Sequence, residues 1–290
     1  MLRNISRKKL LRVGSAMLPT FSVLLAGCGG GGGPVGPGGP GAGTLQVNLV
    51  DAPDPTISAL NVTINRVEAH VVDPENLNDN EDSHWQTITT APQSFNLLDL
   101  ARNEAILGST SLPAGHYTQI RLFPSAATVT DSTGTHNVTI PSGVQSGIKL
   151  NVNYDISPNQ VTAILLDFNV SKSLIKTGNG QYRLQPVIPA VVKVLSGTVT
   201  GTVRDGANPL KGAEVKATYT AGGNYAIGTE VNTSTTLADG TFKVWALLPG
   251  TYTLTASFTD PATNTTRTAT KTGVVVSANQ NVDAGILTVQ

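Results

Sequence analysis

From Thr44 onward the apolar side chains recur with a period of two, a spacing that strands satisfy by burying one face and that helices cannot use. Leu45, Val47 and Leu49 alternate with polar neighbours, as do Leu60, Val62 and Ile64. After a slip at Asn65-Arg66 the pattern resumes as Val67, Ala69 and Val71, which predicts a bulge at the slip. The clearest runs, Ile148-Leu150-Val152-Tyr154-Ile156 and Ile164-Leu166-Phe168-Val170 on alternate positions, are expected to be central strands. Helical spacing is confined to residues 97–107 and 171–175, room for a turn or two. Many short strands separated by Gly, Pro, Asn and Asp predict an all-β chain built of sandwiches or barrels.

About 250 residues follow the N-terminal region, more than one domain usually holds. The composition shifts toward Thr, Ala and Gly near residues 195–197, so the expected division is 44–195 and 196–290, two β-sandwiches in tandem. Cys28 is the only cysteine, so neither domain can be stapled by a disulfide and packing alone must hold them.

The N-terminus is laid out as a secretory signal: Arg3, Arg7, Lys8, Lys9 and Arg12, then an apolar stretch over 13–25, then small residues. Thirteen residues interrupted by Pro19 fall short of the roughly 20 that span a bilayer. Leu25-Ala26-Gly27-Cys28 resembles the processing box of bacterial lipoproteins. That resemblance implies cleavage after residue 27, a diacylglycerol on the Cys28 thiol, and a membrane partner reached through lipid. Gly29, where an aspartate would favour inner-membrane retention, implies the outer membrane of the envelope. At about 0.8 kcal/mol per buried methylene, two or three acyl chains make such an anchor permanent. Residues 29–43 are almost entirely Gly and Pro, a composition that cannot bury apolar surface. With Cys28 they are expected to form a disordered tether over 28–43, with an end-to-end distance of about 20 Å.

The formal net charge of zero conceals an asymmetry. Five of the 19 basic residues lie in the signal and no acidic one does, which leaves the remainder mildly acidic. An acidic surface without Lys/Arg clusters argues against nucleic acid as a partner.

Two further resemblances cover the rest of the chain. Val50-Asp51-Ala52-Pro53, Trp85, Phe95-Asn96-Leu97-Leu98-Asp99-Leu100, Leu112-Pro113-Ala114-Gly115-His116-Tyr117, Pro141-Ser142-Gly143 with Gly147-Ile148-Lys149-Leu150, and Leu184-Gln185-Pro186-Val187-Ile188 carry the first. Through them 44–195 is similar to domain-of-unknown-function family 4382, which implies an extracytoplasmic setting and offers no activity. Gly201-Thr202-Val203, Pro209-Leu210-Lys211-Gly212-Ala213-Glu214-Val215, Ala238-Asp239-Gly240-Thr241-Phe242 and Leu248-Pro249-Gly250-Thr251-Tyr252 carry the second. Here 196–290 resembles the carboxypeptidase regulatory-like domain, a transthyretin-like sandwich whose matched residues imply architecture rather than chemistry. Leu112-Pro113-Ala114-Gly115-His116-Tyr117 also echoes Leu248-Pro249-Gly250-Thr251-Tyr252. This is read as a shared turn in preference to a duplication; a duplication would make both halves transthyretin-like or immunoglobulin-like sandwiches.

Candidates for chemistry are few. Asp73, Glu75, Asp79, Glu81 and Asp82 crowd one loop and could offer oxygens to calcium, although they lack the EF-hand register and also read as a solvated hairpin tip. Asp51 and Asp54 form a second candidate oxygen pair, or simply turn residues beside Pro53 and Pro55. His70, His84, His116 and His136 lack zinc-ligand spacing, and His70 is expected to face water beside Glu68. Pro141-Ser142-Gly143 reads as a turn, not a nucleophile elbow. If Phe242, Val244 and Ala246 face the core, Trp245 turns outward, either as a sugar-stacking surface or against the neighbouring domain.

The function expected from these readings is that of a non-enzymatic envelope lipoprotein, a binding, structural or adhesion module whose partner is an envelope protein or polysaccharide. No cofactor is required, with calcium the one candidate. The alternatives are a hydrolase whose carboxylates come from Asp51, Asp99 or Asp167, and a calcium-dependent glycan-binding protein.

Overall fold

The computed structural model describes residues 41–72, 84–141 and 146–290. The signal, Cys28, nearly all of the tether, the acidic stretch from Asp73 to Asp82 and the Ser142-Gly143 turn lie outside the described residues. Among the described residues no helix is long and apolar enough to cross a membrane.

The architecture is all-β. In the first half the strands are β1 (Ala42–Ala52), β2 (Ala59–Val71), β3 (Trp85–Thr89), β4 (Gln93–Asn96), β5 (Ala105–Pro113), β6 (Gly115–Asp131), β7 (Gly134–Thr139), β8 (Ile148–Ile156), β9 (Val161–Asn169), β10 (Leu174–Lys176), β11 (Tyr182–Leu184) and β12 (Ala190–Val192). Strands β12-β9-β1-β5 make one sheet. Strands β10-β11-β7-β6-β2-β3, with β4 also on β2 and β8 also on β6, make the facing one. Leu45, Leu49, Leu60, Tyr117, Ile120, Ile164 and Phe168 fill the core between the two sheets. The expected slip is present: the β2–β6 ladder shifts register around Ile64–Arg66, which keeps Ile64 and Val67 both buried. The helical stretches shrink to one 3₁₀ turn at Leu97–Ala101 and one helical turn, α1 (Val170–Ser173).

In the second half β13 (Gly197–Asp205), β14 (Asn208–Pro209), β15 (Glu214–Ala221), β16 (Glu230–Thr235), β17 (Thr241–Leu247), β18 (Gly250–Thr259), β19 (Thr266–Val276) and β20 (Asn281–Thr288) form two four-stranded sheets. One has β13 at its centre with β14, β17 and β20 around it; the other runs β16-β15-β18-β19. Their core holds Val199, Val215, Tyr219, Phe242, Val244 and Leu254.

Two expectations need correction. Strand β8 is not central: it pairs with β6 alone, and its strict alternation is what an edge strand with one solvated face shows. The echo between the halves is also larger than a turn. In each half the first strand pairs in parallel with a later one (β1 with β9, β13 with β20) and antiparallel with another (β5, β17). In each, a Ser-x-Asn-Gln turn, Ser157 to Gln160 or Ser277 to Gln280, hands its Gln carbonyl to the amide of Thr44 or Thr198. Gly43 and Gly197 lie so near the Ser157 and Ser277 carbonyls that neither position admits a Cβ. Tyr117 and Tyr252, fully buried rather than at a strand edge, each donate a hydroxyl proton to the carbonyl four residues earlier, Pro113 at 2.9 Å and Leu248 at 2.7 Å. The chain is one sandwich plan written twice.

Candidate functional site

Strands β1 and β9 are half-buried at their starts and buried on both faces from Asn48 and Ile164 onward. The reason is the second half. Its strands β16 and β17 cover the outer face of the β1–β9 pair, and Val50, Leu165 and Val191 pack there against Trp245 and Ala246. Trp245 is therefore no exposed sugar platform: it is 8% accessible and seals the junction. The alternation that predicted its direction holds as far as Val244 and then slips. Ala246 adopts a φ of 57°, which sends Ala246 to the junction and returns Leu247 to the sandwich core.

The same junction holds a polar layer. Asn232 Nδ2 donates to Asp167 Oδ2 at 2.6 Å and lies 3.0 Å from the Trp245 carbonyl. Asn169 Nδ2 donates to Thr233 Oγ1 at 2.8 Å. Asp51 Oδ1 accepts the Val170 amide at 3.1 Å and so holds the first residue of α1. Asp51 and Asp167 are both fully inaccessible, and each has one oxygen without a partner. Burial pushes the Asp167 carboxyl up to about 7. Burial, and then the nearby Asp167 charge, raise Asp51 well above the usual carboxylate range. Three exposed ion pairs ring this layer: Arg102–Asp239, Lys172–Glu230 and Lys193–Glu104.

Of the three carboxylates considered for hydrolysis, Asp51 and Asp167 thus come together inside the junction, while Asp99 sits exposed in the 3₁₀ turn. Asp51 and Asp54 do not make an oxygen pair. Asp54 instead accepts both the amide and the hydroxyl of Thr56, at 2.8 and 2.6 Å, which is the turn role. His70 does not face water: it is 9% accessible, 3.2 Å from Thr118 Oγ1, with Trp85 edge-on at 5.0 Å. Its neighbour Glu68 is buried with it, accepting both Arg121 Nε and Nη2. His116 pairs with Asp155, and His136 with Asp131. Asp131, which the sequence reading passed over, also binds Thr133, Tyr182 and Lys176, and these hydrogen bonds hold its carboxyl far below the usual range. Among the described residues no three His, Cys, Asp or Glu side chains converge as a metal site.

Beside the junction two clefts open. One of about 560 Å³ is walled by Arg102 and Pro53 of the first half and by Thr200, Thr202, Lys243 and Asp283 of the second. The other, about 230 Å³, has Trp245, Glu104 and Lys193 in its wall and shares Lys243 and Asn281 with the first. Asp51 and Asp167 line neither.

No curated protein matches the chain. Among solved structures it is similar to the Bacillus anthracis TIE protein, at 14% identity over 86% of this chain and 34% of that one, with a TM-score of 0.23. The chain thus spans about a third of that protein's length. It is also similar to the shaft pilin SpaA from Lactobacillus rhamnosus GG, at 10% identity over 86% of this chain and 97% of that one, with a TM-score of 0.23. BcpA, the major pilin subunit of Bacillus cereus, gives 11% identity over 86% and 71% and a TM-score of 0.25. One family model, described as a domain of unknown function (DUF4382), matches residues 42–186, half of the chain, and the protein belongs to that family.

Proposed function

We propose that this protein is a non-enzymatic module of the bacterial cell envelope, anchored by lipid on Cys28, in which two sandwiches act as one stiff structural or adhesion unit. One observation carries the reading: the junction is built like a core, not like a hinge. Trp245 and its aliphatic neighbours exclude water from it, and Asn169 and Asn232 bond across it. Inter-domain contacts in one chain are ordinarily more polar and allow relative motion unless they are apolar and extensive. The two buried carboxylates fit the same role, since Asp167 spends an oxygen on Asn232 and Asp51 on α1. The resemblance of 196–290 to carboxypeptidase regulatory-like domains and the Leu-Ala-Gly-Cys box support an extracytoplasmic setting, with an envelope protein or polysaccharide as partner. The outer membrane is the assigned location.

The anchor is tested by expressing the full chain in a bacterium with two membranes. Wild-type protein is expected in the membrane fraction, with an N-terminal peptide whose mass carries acyl chains on Cys28. Cys28→Ser should leave the membrane fraction while its thermal midpoint stays the same. Recovery of the wild type as an unacylated cytosolic protein would refute the assignment.

A further inference from the structure

The junction clefts have a composition that the stiffness of the molecule does not require. Period two along β13, β17 and β20 turns Val199, Val203, Phe242 and Val244 into the sandwich core and leaves the opposite face polar. The strand registers place Thr200 directly opposite Lys243 on one side and Asp283 on the other. An ammonium, a hydroxyl and a carboxylate thereby form a row across three strands, at the interstrand spacing of about 4.8 Å. Thr202 opposite Thr241 makes the next row, and Asn281 stands opposite Thr198 at the far end. Arg102 closes the other side of the cleft, held by Asp239 and Thr241.

Three observations indicate that this face is built for a ligand. Lys243 has no ion-pair partner among the described residues; its Nζ rests 3.6 Å above the Trp245 ring, and burial lowers its pKa. Trp245 lines the smaller cleft, so the Lys243 cation that rests on it is presented at the cleft wall. The third is charge: Arg102 and Lys193 are each matched by a carboxylate, Lys243 feels Glu104, and Asp283 completes an equal number of acids and bases, so the lining is neutral overall.

We infer that the paired clefts are a binding site for a neutral glycan, with Lys243, Thr200, Asp283 and Asn281 reading its hydroxyls beside the Trp245 ring. A neutral polyol presents donors and acceptors together, which is what a mixed row of ammonium, hydroxyl and carboxylate complements. An anionic chain would meet Asp283 and Asp239. An extended peptide docks by pairing its backbone with a free strand edge, whereas the polar rows here lie on the face of the sheet. The volume of about 560 Å³ lies within the range of pre-formed small-ligand sites. The inference stands independently of the lipid anchor and of the stiff-module reading.

The test uses the full chain in a zwitterionic detergent free of sugar, carrying Trp85→Phe so that Trp245 is the sole fluorophore of its kind. Maltotriose, cellotriose and triacetylchitotriose are titrated, with trigalacturonate and trialanine as contrasts. At least one neutral trisaccharide is expected to shift Trp245 emission saturably. Asp283→Asn, at an exposed position, and Lys243→Met should each weaken that binding about tenfold. Their thermal midpoints are measured alongside, and Asp283→Asn decides the matter if Lys243→Met unfolds. The site assignment is overturned if none of the three trisaccharides binds at millimolar concentration, if binding survives both substitutions, or if trigalacturonate or trialanine binds more tightly.

Discussion

Asp167 illustrates how a single residue can be plain in a sequence and opaque in meaning. Its position in an alternating run marks it as lying on the face opposite Leu166 and Phe168, which suggests solvent. The second sandwich replaces that solvent, and the carboxyl is held protonated by burial up to about pH 7. The unfolded chain releases the same proton near pH 3.9, the ordinary aspartate value of about 3.9. Between those values the folded state keeps a proton that the unfolded state has lost. The stability that Asp167 contributes is therefore full below about pH 4 and declines as the pH rises to about 7, then levels off. Asp51 acts in the same direction. Asp167→Asn should make the fall in thermal midpoint between about pH 4 and 7 shallower than in the wild type. An unchanged slope would mean that Asp167 ionises in the fold as it does in water. Ala246 is a second case: nothing in an alanine announces a φ of 57°, so the slip that aims Trp245 at the first sandwich had no sequence signal.

Strands and their turns were the more legible scale. Most apolar runs became strands with the expected inward residues, because a period of two leaves a strand only two orientations and burial selects one. The errors came where a strand's neighbours mattered. For β8 the alternation was correct and its place in the sheet was not, since pairing partners are chosen by distant segments. The duplicated plan was visible in part, through the Leu-Pro echo, yet the bonds that define it are tertiary. Tyr117 and Tyr252 hold equivalent corners of separate cores. Tyr117→Phe and Tyr252→Phe should each cost about 1 kcal/mol in urea unfolding. Because the two rings share no core, the double variant should show the sum within about 0.5 kcal/mol. A cost at only one of them would break the equivalence of the two halves.

For the whole molecule, the decisive element is the junction. Trp245→Ala removes the largest side chain in it, a change of the class that costs about 3–5 kcal/mol in a core. If the junction couples the two sandwiches, the wild type should unfold in one calorimetric transition and Trp245→Ala in two. A single transition in both proteins would assign the coupling to the surrounding ion pairs and polar layer instead. The amino-acid order by itself determined the all-β class, the strand periodicity, the lipoprotein-like box at Cys28 and the family resemblance, because local periodicity and short motifs suffice for these. Only the tertiary structure decided that Asp51, Asp167, Asn232 and Trp245 meet, and that Lys243, Thr200 and Asp283 form a row. Residues distant from one another in the chain are brought together by sheet registers and by one sandwich docking on another. Neither leaves a trace in local spacing, since each side of the junction reads as an ordinary half-exposed strand until the other half covers it.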